Sequence, residues 1–259
     1  MDPSSEINTV HTTQLEGIYP HVAAYLRDPD PHRRRSYNPY LGSVYKLRDK
    51  EQAVTFQSEC LLPRNDQGRP RVLLLFSNAH PESIKNGMFH TAQGKVAALW
   101  TDLCHAGLFS GDQPVLESPQ RLRDHCLNVA YDGQFAFGFA CYWIFPTFQP
   151  DHLRKLFGPE MQPPGSENPK ARLNRLLAEW RPEAIISFNG QVLEALTGEN
   201  TKGYMKRLRQ RTLEEKYRAS GHEYRVIQTY PTGWRYVPHA PKFRQRSLKR
   251  ITSTIKGLR

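Results

Sequence analysis

The chain has 259 residues, 38% hydrophobic and 11% aromatic, enough for a sizeable core and too many for a disordered protein. The formal net charge is +11, and no apolar run approaches the length of a membrane span. Four cysteines at 60, 104, 126 and 141 show no C-x-x-C spacing, which argues against a zinc or iron–sulfur site and fits a cytoplasmic protein with reduced thiols.

Residues 1–15 are polar and predict no secretion signal. Residues 1–35 are read as an N-terminal extension with a short helix near 15–26, and residues 36–259 as one α/β domain. Residues 36–70 read as loop-rich, ending in the turn Pro63-Arg64-Asn65-Asp66-Gln67-Gly68. Residues 71–76 form a continuous apolar run, the pattern of a strand buried on both faces. Residues 96–106 predict a helix with Val96, Leu99, Trp100 and Leu103 on one face.

Residues 135–145 predict a second buried strand, rich in aromatics and ended by Pro146. A helix over 166–180 carries Leu173, Leu176, Leu177 and Trp180 at helical spacing, and Pro182 limits it. A third strand at 184–188, a short helix at 191–196 and a basic helix at 204–218 follow. Residues 224–230 form the fourth strand, and a basic helix at about 243–256 closes the chain. Strands alternating with helices predict a parallel α/β sheet.

Two of these strands run into polar loops containing proline. The first reads Val72-Leu73-Leu74-Leu75-Phe76-Ser77-Asn78-Ala79-His80-Pro81, with Gly87-Met88-Phe89 after it. The second reads Val226-Ile227-Gln228-Thr229-Tyr230-Pro231-Thr232-Gly233-Trp234. In α/β sheets, ligands bind at the carboxyl ends of strands, so the two loops are expected to share one site. In the first, His80 is a candidate general base near neutral pH or, as an imidazolium, a stabiliser of charge on a leaving group. Asn78 is an alternative that orients water, and Glu82 a carboxylate able to balance a sugar cation. Phe89 is either a stacking ring or an ordinary core residue. From Tyr224 to Arg259 there is no Asp or Glu, and Arg225, Arg235, Lys242, Arg244, Arg246, Lys249, Arg250, Lys256 and Arg259 supply most of the excess charge. Such a cluster beside a candidate loop is expected for a polyanion-binding surface, a solvated tail being the plainer reading.

The order and wording of the two segments resemble the signature motifs of the uracil-DNA glycosylase superfamily, over roughly residues 70–255. There a strand runs into Gly-x-Asp/Asn-Pro, an aromatic residue follows, and a late strand runs into His/Asn-Pro-Ser-x-Leu. The resemblance implies a three-layer sandwich with a central four-stranded parallel sheet flanked by helices. It implies a monofunctional DNA glycosylase without cofactor or metal, expected as a monomer with DNA as partner and no membrane association. It puts His80, or Asn78 on a gapped alignment, at the water-positioning residue, and Phe89 at the ring that stacks on the flipped base.

The resemblance further implies base contacts from the end of the second strand. The usual Asn is missing there; Tyr142 is the nearest polar substitute and Trp143 a pocket wall, although both also fit a core strand. Tyr230 replaces the His that donates to the base carbonyl, and Thr232 replaces a phosphate-binding Ser. Trp234 takes the place of the intercalating Leu, with Arg235, Lys242, Arg244 and Arg246 beside it. These departures argue against ordinary uracil and for a modified pyrimidine. The superfamily includes anti-phage glycosylases that remove glucosylated hydroxymethylcytosine from viral DNA, which this chain resembles; a divergent uracil or mismatched-thymine glycosylase and a non-catalytic nucleic-acid-binding module are the alternatives. Asn189 reads as a helix cap or as part of a phosphate-binding helix start.

Overall fold

The computed structural model describes residues 8–28, 36–92, 95–96, 98–110, 118–198, 207–208, 213–229, 246, 248–249 and 253. It is a mixed α/β structure built on one eight-stranded sheet. The strands are β1 (Asn8–Gln14), β2 (Tyr45–Arg48), β3 (Ala53–Leu61), β4 (Arg71–Asn78), β5 (Thr91–Ala92), β6 (Lys95–Val96), β7 (Ala136–Trp143), β8 (Ala184–Ser187), β9 (Leu213–Ala219) and β10 (His222–Gln228). The α-helices are α1 (Tyr19–Arg27), α2 (Pro81–Asn86), α3 (Ala98–His105), α4 (Pro119–Leu127), α5 (Pro150–Phe157), α6 (Pro169–Trp180) and α7 (Gly190–Thr197).

The main sheet runs β1-β3-β7-β4-β8-β10-β9, with β2 also on β3. The pairs β7–β4, β4–β8 and β8–β10 are parallel, and the outer pairs are antiparallel. The four parallel strands are the four apolar runs of the sequence. Val72 to Leu75 are fully buried because both faces of β4 are covered. On one face Phe76 stacks on Phe188 and meets Phe89. On the other, Gly138 lets the Trp180 indole of α6 lie against the strand; a Cβ there would come within 2.7 Å of the ring.

Helix boundaries follow local chemistry. Pro81 opens α2 behind the cap residue His80, and Gly87 closes it in the left-handed conformation. Asn168 caps α6 by accepting from the Lys170 and Ala171 amides. Asn189 caps α7 by accepting from Gln191, the plainer of its two readings.

Several segments differ from the sequence expectation; Val96, expected on a helix face, lies in β6, and that helix begins at Ala98. Residues 36–70, read as loop-rich, hold β2 and the nine-residue β3. The N-terminal segment adds β1 to the sheet edge, paired with β3 along its whole length. The basic helix expected over 204–218 ends instead in β9, which forms a hairpin with β10 through Ser220 and Gly221, both at positive φ. That turn matches the twist of paired strands. Tyr217 and Ala219 face inward while Lys216 and Arg218 face solvent, a period of two. Of the closing basic helix, residues 246, 248, 249 and 253 are described and helical.

Candidate functional site

The carboxyl ends of β7, β4, β8 and β10 lie along one edge of the sheet. Asn78 pairs with Trp143 across β4 and β7, and Ser187 of β8 lies between Leu75 of β4 and Gln228 of β10. The exits of β4 and β10 are therefore two strand spacings apart, about 10 Å. The strand ends that precede the two proline segments, some 150 residues apart in sequence by rough count, thus lie on the same edge of the sheet.

The first loop is firmly held. Asn78 donates from Nδ2 to the Ala79 carbonyl and to the carbonyl and hydroxyl of Thr147, and its Oδ1 accepts from the Ser77 hydroxyl. Thr147 in turn donates its amide to the Ala79 carbonyl. The amide hydrogens of Asn78 are thus spent on joining two loops.

His80 caps α2. Its Nδ1 accepts the Glu82 amide at 3.3 Å, which assigns the ring proton to Nε2. The ring of Phe148 stands edge-on to it at 5.4 Å, and Phe148 also meets Tyr37 and Tyr40. The Lys85 ammonium sits 5.8 Å from the Tyr40 ring centroid. Phe148 and Tyr40 are half-buried. Neither ring stands out in the sequence, because each becomes a neighbour of the first loop only through folding.

Phe89 is 1% exposed and packed against Phe76 and Phe139, the surroundings of a core residue. Tyr142 and Trp143 are both buried and meet edge to face. As neighbours in one strand they project to opposite faces of the sheet, and only Trp143 shares the face of Asn78. Burial pushes the Tyr142 hydroxyl up from its ordinary pKa, with Arg172 opposing. Arg172 donates to the Tyr142 carbonyl from α6.

A further acid lies beneath the loop. Glu59 of β3 is 4% exposed, and its Oε1 accepts the His80 backbone amide at 3.3 Å. Burial raises its pKa to about 8, while the His80 amide pulls the other way. Its Oε2 is buried without a hydrogen-bond partner among the described residues. Gln228, at the end of β10, is also fully buried; its Nε2 donates to the Thr229 carbonyl and its Oε1 has no partner among the described residues.

Tyr230, Thr232, Trp234, Arg235, Lys242 and Arg244 lie outside the described residues. Arg246 is described and exposed. Among the described residues no group of three or more His, Cys, Asp or Glu is placed to hold a metal ion, and no helix is long and apolar enough to cross a membrane. No protein-family model matches the chain, and no curated relative aligns with it significantly.

Proposed function

We propose that the chain is a monofunctional DNA glycosylase of the uracil-DNA glycosylase type, cleaving the N-glycosidic bond of a flipped, modified pyrimidine with water. The observation that carries this reading is the parallel adjacency of β4, β8 and β10, which brings the strand ends preceding both proline segments to one sheet edge. The four-stranded parallel core with helices packed on it supports the three-layer sandwich of that fold.

In this reading His80 acts as a hydrogen-bond donor. A general base needs a lone pair facing the water, but the Nδ1 lone pair is committed to the Glu82 amide. As a donor the imidazole stabilises negative charge that builds on the departing base, where a preorganised N–H is most effective. Glu82, in the first turn of α2, supplies negative charge to balance the oxocarbenium-like sugar. Asn78 serves the loop rather than the water. Tyr230 adds a second, neutral donor toward the base, and Trp143 walls the pocket on the Asn78 face. Phe148 and Tyr40 offer aromatic faces beside His80.

DNA is held by the basic C-terminal segment, with Thr232 on a phosphate and Trp234 filling the gap left by the extruded nucleotide. The favoured substrate is glucosylated 5-hydroxymethylcytosine in viral DNA, which gives the protein a cytoplasmic, antiviral role. The deciding experiment measures bases released from defined DNAs. Free base with an abasic site supports the enzyme; binding without release supports a nucleic-acid-binding module.

A further inference from the structure

We propose that Glu59 is a positioning residue for the His80 loop, held as a neutral carboxylic acid whose carbonyl oxygen takes the His80 amide and whose hydroxyl donates to the Asn8 side chain. The functional part of this proposal rests on the glycosylase reading; the hydrogen-bonding part does not.

Asn8 and Glu59 are directly opposite in the antiparallel β1–β3 pair, so their side chains leave the same face with Cβ atoms about 5 Å apart. Each carries a buried oxygen without a partner, Oδ1 of Asn8 and Oε2 of Glu59. Two buried acceptors on directly opposed residues both lack a donor among the described residues, and burial without a partner is costly. A single proton on Glu59 satisfies both. An ionised Glu59 would place a bare charge there instead.

Burial favours the neutral form of Glu59, against the pull of the His80 amide. The Cys60 and Cys141 thiols beside it are held protonated by burial, and Arg172 acts on those thiols. The polar contact to Glu59 is the His80 amide. The raised pKa agrees with this arrangement.

The result is a two-point attachment of α2. Glu59 receives the amide of His80 where the helix begins, and Asn8 Nδ2 donates to the Ile84 carbonyl one turn later. The N-terminal strand thereby fixes the angle at which His80 leaves the sheet.

The test compares full-length wild type with Glu59→Gln and Glu59→Ala. Gln carries both an acceptor for His80 and a donor for Asn8, so it should substitute. Infrared spectroscopy at neutral pH should show a protonated-carboxyl carbonyl band that Glu59→Gln removes. Exchange of the His80 amide should stay within about twofold of wild type in Glu59→Gln and accelerate about tenfold in Glu59→Ala, the scale of one lost hydrogen bond. Base release should follow the same order in kcat, with KM little changed. An unaltered infrared band, or a Gln variant as impaired as Ala, would overturn the proposal. If Glu59→Ala fails to fold, the infrared band and Gln exchange still decide. If no variant releases a base, the glycosylase reading fails while the band and exchange rates still judge Glu59.

Discussion

Asn78, at the end of β4, donates from its side-chain amide to the carbonyl and the hydroxyl of Thr147, 69 residues further along the chain, at 2.5 and 3.0 Å. This contact ties the loop carrying His80 to the loop that follows β7. Thr147 is fully buried, so no water can replace the amide. Asn78→Ala should therefore cost about 1–3 kcal/mol of stability, the penalty for leaving buried acceptors unpaired. Denaturant unfolding measures it. A variant as stable as wild type that has lost all base release would return Asn78 to the chemistry.

Glu59 makes a separate prediction about stability and pH. Its folded pKa, about 8, lies above the ordinary 4.5. Between those values the folded state keeps a proton that the unfolded state releases. Its contribution is complete below pH 4.5 and lost as pH rises to about 8, with a slope of at most about 1.4 kcal/mol per pH unit. Unfolding titrations of Glu59→Gln should lack this slope. A Gln variant with the wild-type pH profile would mean that Glu59 is ionised in the folded protein.

For the proposed chemistry, His80→Ala should lower base release by about 10²-fold or more, the scale for losing one donor to charge that forms in the transition state, while DNA binding persists. Tyr230→Phe should slow the single-turnover step without weakening binding, because its hydroxyl acts on charge that forms in the transition state. An unchanged single-turnover rate would make Tyr230 structural.

Much of the parallel core was legible because it is written in continuous apolar runs, as in Val72–Phe76 and Ala184–Ile186. β3 was not. Thr55, Gln57, Ser58 and Glu59 make it read as polar, yet it lies inside the sheet, paired with β1, β2 and β7 and largely buried. β9 was mistaken for helix because Glu214, Glu215, Lys216 and Arg218 obscure the inward Tyr217 and Ala219. The strand-end loops were visible as motifs. The Glu59 contact to His80 was not, since it joins residues from two strands that sequence reading had no reason to bring together. Phe89 shows the converse: a motif-like spacing occupied by a buried core ring.

Trp234 should be the wedge that opens duplex DNA. Trp234→Ala should lose far more activity on double-stranded than on single-stranded substrate, where no stack must be broken. Affinity of the wild type should fall steeply with salt if Arg235, Lys242, Arg244 and Arg246 neutralise phosphates. Equal losses on both substrates would assign Trp234 to support of its loop.

The most direct test of the glycosylase reading is mass spectrometry of bases released by the purified protein, with EDTA present, from DNAs carrying uracil, mismatched thymine, 5-hydroxymethylcytosine or its glucosylated form. The predicted result is release of free glucosylated 5-hydroxymethylcytosine with a matching number of abasic sites, abolished by His80→Ala. Retardation of every DNA in a gel, with no base released from any of them, would contradict it.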